Sequence, residues 1–141
     1  MPGRDIPLIS GEIYHVFNRG VASQPIFLQK RDYQRFLDTV SYYQNINIPL
    51  RYSKFLTLSR IERNKMFDEL SKKKDFLVEN ISFCLMPNHF HLLLKQNDKD
   101  GISKFVGNLS NSYTRYFNTK NKRSGPLLQG KFKAVRIETD E

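Results

Sequence analysis

One cysteine is too few for an internal disulfide, and Cys84 is the only one in this chain of 141 residues. Set in an apolar stretch, it reads as a small buried hydrophobe and not as a ligand or nucleophile. No apolar run approaches the ~20 residues needed to cross a bilayer. The opening Met1-Pro2-Gly3-Arg4-Asp5 lacks the apolar core of a signal peptide. Internal repeats and low-complexity segments are absent as well. These absences argue against a disulfide scaffold and a membrane span, and a cytoplasmic protein is expected. With 39% hydrophobic and 13% aromatic residues the chain is no disordered polymer, and its length suits one domain with a real core.

Acidic residues are missing from a long stretch. Between Gly101 and Ile137 there is no Asp or Glu, whereas Lys104, Arg115, Lys120, Lys122, Arg123, Lys131, Lys133 and Arg136 all fall there. Ordinary surfaces mix signs. A one-signed segment in a chain of net charge +9 is the footprint of a phosphate-backbone partner. An anionic membrane surface is the weaker alternative, because the aromatic residues here are spaced for a core.

Along the chain, Met1 to Ser10 reads as a flexible lead. Gly11 to Asn18 alternates as a strand, with Ile13, His15 and Phe17 on one face and Tyr14 and Val16 on the other. Both faces are largely apolar, which predicts a central strand of a covered sheet, with His15 a core histidine or a neighbour of a metal site. Asn18-Arg19-Gly20 supplies a turn, with Gly20 free to take positive φ. Tyr33, Phe36, Leu37 and Val40 follow helical spacing from about Arg31 to Tyr43. Residues 45–76 are irregular and read as an insertion. There Ser59-Arg60-Ile61-Glu62 fits a capping box for a short helix towards Leu70. Arg51, Lys54, Arg60 and Arg63 could add nucleic-acid contacts, and Lys72-Lys73-Lys74 reads as a solvated helix end.

Two strands follow, about Val78 to Leu85 and His89 to Gln96, joined by Met86-Pro87-Asn88. So short a link makes them antiparallel. Asp100 is the expected N-cap of a long helix carrying Ile102, Phe105, Val106, Leu109, Tyr113, Tyr116 and Phe117. Gly125 marks the stop beyond it. A last strand, Gly130 to Ile137, closes the pattern. Strand, helix, insertion, strand, strand, helix, strand predicts an α+β domain with a ferredoxin-like antiparallel sheet and helices packed on it.

The densest chemistry lies in Leu85-Met86-Pro87-Asn88-His89-Phe90-His91. On a strand His89 and His91 point the same way, with Cα atoms about 6.5 Å apart, so both imidazoles can converge on one divalent metal.

This motif resembles that of the HUH single-tyrosine transposases (IS200-like), and within them the REP-associated type. Two further motifs carry the resemblance in the same order. Tyr14-His15-Val16-Phe17-Asn18-Arg19-Gly20 is similar to the family's first strand and turn. Ser124-Gly125-Pro126-Leu127-Leu128-Gln129-Gly130-Lys131-Phe132-Lys133 is similar to its Gly-x-hydrophobic-hydrophobic-Gln-Gly-basic-aromatic signature.

The resemblance implies an HUH endonuclease fold and a reaction that recombines mobile-element DNA. In that reaction a tyrosine attacks phosphorus in single-stranded or hairpin DNA, leaving a 5′-phosphotyrosyl link and a free 3′-hydroxyl. It implies a divalent metal held by His89 and His91, with Mg²⁺ or Mn²⁺ favoured over Zn²⁺ and a third ligand setting the choice. Gln129 is one polar candidate for that place. DNA contacts are implied for Arg19, and expected from the basic segment for Lys104, Arg115, Lys120, Lys122, Arg123, Lys131 and Lys133. A homodimer is raised by analogy alone.

The family's Tyr-Ile-x-x-Asn-Pro nucleophile motif occurs nowhere in the sequence. The expectation is a chain shortened before that helix, with the nucleophile beyond residue 141. Tyr113 and Tyr116 are the candidates within the chain, and both carry core spacing. Two other readings stay open: a catalytically incomplete DNA-binding module of the same family, and a zinc-dependent hydrolase or structural metal protein.

Overall fold

A computed structural model describes residues 7–73 and 75–138. The first six residues of the expected lead, Lys74, and residues 139–141 lie outside the described residues. Strand β1 (Ile13–Arg19) is followed by helix α1 (Lys30–Tyr43), the single turn α2 (Tyr52–Phe55) and helix α3 (Arg60–Lys73). Strands β2 (Val78–Met86) and β3 (His89–Gln96), helix α4 (Gly101–Asn121) and strand β4 (Lys133–Arg136) complete the chain.

All strand pairs are antiparallel, and the sheet order is β2-β3-β1-β4, so the two motif-bearing strands β1 and β3 lie side by side at its centre. This is the α+β, ferredoxin-like arrangement that the order of elements predicts. The register sets Phe17 opposite His91 and Arg19 opposite His89.

Among the described residues, helices cover one face of the sheet. Tyr14 and Val16 of β1 and Phe90, Leu92 and Leu94 of β3 are buried beneath α1 and α4. There they meet Phe36, Val40, Ile102, Phe105, Leu109 and Tyr113. The other face carries Ile13, His15, Phe17, His89, His91 and Leu93, all half-buried. The expectation of a covered central strand therefore holds for β1's position and fails for its second face, which is open among the described residues. Cys84, expected to be buried, is exposed because it pairs with His91 and so stands on the uncovered face of the sheet.

α1 begins in a capping box. The side chains of Gln29 and Asp32 each accept from the other's backbone N–H, and Asp32 Oδ2 also accepts from Leu28 N at 2.8 Å. The predicted box on α3 forms too, with Glu62 N donating to Ser59 Oγ at 3.2 Å and Ser59 N to Glu62 Oε1 at 3.3 Å.

Asp100 does stand at the N-cap of α4, but in the left-handed region (φ 59°) and with no capping hydrogen bond from its side chain. Gln96 takes over that task from the end of β3. Its Oε1 accepts from Ile102 N at 3.0 Å, and its own side chain is fully buried. At the other end α4 stops at Lys122, itself left-handed at φ 50°, three residues before the expected Gly125. Strand β4 is four residues long, shorter than predicted, because Gly130 (φ 58°) still belongs to the turn before it.

Gly20 is needed for a reason other than the expected positive φ. Its φ is −65°, an ordinary value, but a Cβ there would sit 2.2 Å from the carbonyl oxygen of Gln24. Its N–H donates to Asn88 O at 2.9 Å, tying the β1 turn to the β2–β3 turn. Gly20→Ala is expected to cost about 1–3 kcal/mol, since backbone must move to admit the methyl group. Chemical denaturation measures it, and a change under 0.5 kcal/mol would show that the turn yields freely.

Candidate functional site

The open face of the sheet gathers three histidines. His89 and His91 alternate with the buried Phe90, and His15 reaches them from the neighbouring strand. The rings of His89 and His91 stand perpendicular with centroids 4.9 Å apart. Those of His15 and His91 stack at 4.9 Å, and Phe17 closes the group at 5.7 Å from His91.

Each motif histidine has its Nδ1 engaged. His89 Nδ1 lies 2.7 Å from Asn88 Oδ1, an acceptor, so that nitrogen carries the proton and Nε2 keeps its lone pair. His91 Nδ1 lies 2.7 Å from His15 Nε2. When His91 is the donor in that pair, its Nε2 is likewise a free lone pair. His15 is thus a histidine of the open face, and its bond holds the orientation of His91, as second residues do around metal-binding imidazoles. Burial first, then the like charges of His15 and His89, pull the pKa of His91 below the ordinary histidine value. The ring is therefore neutral near pH 7, the form that ligates metals.

The two histidines fit the start of a metal site by donor chemistry. Among the described residues no group of three or more His, Cys, Asp or Glu side chains is arranged to hold a metal ion. The protein thus offers a two-imidazole set.

Beside His89 lies a cavity of about 350 Å³ lined by Phe17, Asn18, Arg19, Gln129 and Lys133. Arg19 Nε donates to Gln129 Oε1 at 3.0 Å, and Gln129 N donates to Arg19 O at 2.8 Å. Gln129, considered above as a metal ligand, has its side-chain oxygen turned to Arg19. Asn18 Nδ2 donates to Gly130 O at 3.2 Å, joining the β1 turn to the chain entering β4. Lys131 lines a further cavity of about 310 Å³ that shares Asn18. The first strand, the histidine strand and the Gln-Gly segment thus converge at one end of the sheet.

The remaining sequence candidates lie elsewhere. Tyr113 is 1% exposed in the core and donates to Ile26 O at 2.5 Å; burial raises its pKa. Tyr116 donates to Asp32 Oδ1 at 2.7 Å, and burial followed by that bond pushes its pKa up to about 12. Both are on the helical side, across the sheet from the histidines. Lys120 is held by Asp32 at 2.6 Å with little exposure, and Arg123 is bonded to Asn118 and Pro126 O. Lys104, Arg115 and Lys122 are exposed on α4 or its end. Of the cations expected to contact DNA, Arg19 and Lys133 line the cavity beside His89.

Asn88 is the residue that sequence reasoning missed, being read only as a turn former. Its adjacency to His89 was the available signal.

Among curated proteins none matches this chain. It superposes on the structure of a REP-associated tyrosine transposase bound to a REP hairpin, with a TM-score of 0.53 and 13% identity, covering 99% of this chain and 64% of that one. It also superposes on the crystal structure of a putative transposase from Deinococcus radiodurans R1, with a TM-score of 0.54 and 14% identity, covering 98% and 86%. These likenesses agree with the ferredoxin-like fold. This chain spans 64% of the length of the first relative. The family model described as "Transposase IS200 like" matches residues 39–137. On that match, which takes in the histidine strand, the Gln-Gly segment and β4, the chain belongs to the IS200-like transposase family.

Proposed function

We propose that this domain binds single-stranded or hairpin DNA on its histidine face and takes part in metal-assisted strand cleavage and rejoining. The observation that carries the reading is the pair His89 and His91, side by side on an open face with each Nδ1 tied back. The pair would hold a divalent metal, Mg²⁺ or Mn²⁺ ahead of Zn²⁺, which when bound polarises a phosphoryl oxygen and offsets its developing charge. Arg19, braced by Gln129, and Lys133 put positive charge at the cavity where a phosphate would lie. His15 keeps His91 in one orientation. The relative solved with a REP hairpin supports a hairpin as the DNA form. Dimerisation rests on analogy alone.

A second reading has an observation of its own. All seven tyrosines lie with the helices or beneath them. Tyr14 points away from His15 along the same strand, Tyr33 stacks on Phe27, Tyr42, Tyr43 and Tyr52 form one aromatic cluster, and Tyr113 and Tyr116 belong to α4. A tyrosine attacking at the histidine face needs to be about 3–3.5 Å from phosphorus. On this placement residues 1–141 bind DNA, and the nucleophile comes from none of the seven. We expect a labelled hairpin with a single-stranded flank to shift on a native gel with Mn²⁺, with no adduct on a denaturing gel. Failure to bind either DNA form sinks the functional reading. An adduct abolished by Tyr116→Phe sinks the tyrosine assignment.

A further inference from the structure

The helical layer carries a cavity that the histidine site does not use. It measures about 700 Å³ and opens between α1, α2 and α4, across the sheet from His89 and His91. Its lining includes Arg35, Arg51, Arg115 and Lys120 together with the amides of Asn108 and Asn111, and no Asp or Glu is among its lining residues. With Lys120 offset by Asp32, three guanidiniums face one cavity without a carboxylate in its lining, an arrangement that favours an anion there.

The cations differ in how far they are committed. Lys120 is bound to Asp32. Arg51 and Arg115 are exposed and make no ion pair among the described residues. Arg35 is braced: its guanidinium lies 4.6 Å from the Tyr116 ring centroid and 5.2 Å from that of Tyr52. Its Nε is buried with no hydrogen-bond partner among the described residues. Tyr116 is in turn fixed by its bond to Asp32. A guanidinium held against aromatic rings at a cavity wall, with no carboxylate partner among the described residues, is pre-set for a phosphate oxygen.

We infer that this cavity is a second phosphate-binding site, through which a nucleic-acid backbone is held on the helical layer by Arg35, Arg51 and Arg115. The inference rests on the DNA-binding reading above and adds a contact surface on the opposite side of the sheet. Free phosphate shares the chemistry, but two exposed arginines and two amides around so wide an opening suit a chain of phosphates better than one small anion.

The test is the salt dependence of binding to a labelled hairpin with a single-stranded flank, followed by fluorescence anisotropy. Arg51→Gln with Arg115→Gln removes two exposed charges without touching the core or the histidines. The slope of log K against log salt should shrink by about 1.4, or 0.7 for each single-strand phosphate released. Lys72→Gln with Lys73→Gln, the same charge change on α3, should leave the slope as in the parent. An unchanged slope in the arginine variant, or equal loss in both variants, overturns the site. Displacement of DNA by inorganic phosphate, beyond what chloride of equal ionic strength achieves, assigns the cavity to the free anion and also overturns it. No DNA binding by the parent defeats the underlying reading, an outcome distinct from a parent that binds and an arginine variant that binds equally.

Discussion

Alanine at both His89 and His91 is expected to abolish Mn²⁺ binding measured by isothermal titration while the thermal unfolding curve stays in place. The two imidazoles are half-buried on the open face and hold no core contact comparable to Phe90, which is fully buried between them on the other side. If they hold a metal as proposed, their loss removes its ligands and leaves the packing. His15→Phe should act through His91 alone. It keeps a ring in the stack with Phe17 and His91 but deletes the nitrogen that bonds His91 Nδ1. Deleting such an orienting partner typically lowers metal affinity about 10–100-fold. Parent-like affinity in the double alanine variant would remove the metal from the face. Parent-like affinity in His15→Phe would show that His91 orients itself.

Asp32→Ala should bring the largest loss of stability. The carboxylate is completely buried at the start of α1 and accepts four hydrogen bonds: from Leu28 N, Gln29 N, the Tyr116 hydroxyl and the Lys120 ammonium. It therefore pins the first turn of α1 to the last turns of α4. Removing one partner of a buried ion pair costs about 3–5 kcal/mol, because the other is left desolvated and unpaired. For a domain of this size that lowers Tm by roughly 10–20 °C.

The pH dependence has a definite sign. Burial works against the charged form of Asp32, but the hydrogen bonds from Lys120, Tyr116, Leu28 and Gln29 outweigh it and hold the pKa below the ordinary carboxylate value. A group whose pKa falls on folding stabilises above its unfolded pKa of about 3.9, and that contribution is lost as pH falls through the folded value. The stability gap between parent and Asp32→Ala should be flat above about pH 5 and narrow below pH 4. A gap that widens on acidification would contradict the assignment.

Which features were legible beforehand follows from their range along the chain. His89 and His91 could be placed on one face from the sequence because strand alternation and the Pro87-Asn88 turn are local. His15 could not be assigned, since its relation to His91 depends on the register that sets Phe17 opposite His91. A slip of one residue would have sent it to the other face. Lys120 looked like a free cation because charge was counted without its partner Asp32, which lies 88 residues away. Asp100 has the right chemistry for a cap. It is denied the conformation because the chain turns sharply there, bringing Gly101 so close to Leu77 that a Cβ would lie 2.3 Å from its carbonyl oxygen. Cys84 was misread because apolar neighbours do not reveal which face of the sheet the helices leave uncovered.

The excursion between α1 and β2 is closed at its base. Asn45 and Phe76 form a bridge, Ile46 N donates to Asp75 O at 2.9 Å, and Leu77 N donates to Gln44 O at 2.7 Å. Beyond this neck α2 packs on α1 through the buried Tyr52 and Phe55, whereas of α3 only Leu70 is buried. Lengthening a loop whose ends are already held costs little, about 0.6 kcal/mol for each doubling. The length and charge of α3 can therefore change while the paired strands keep their alignment. Helix α3 is the part of the domain in which change carries the smallest risk to the histidine face.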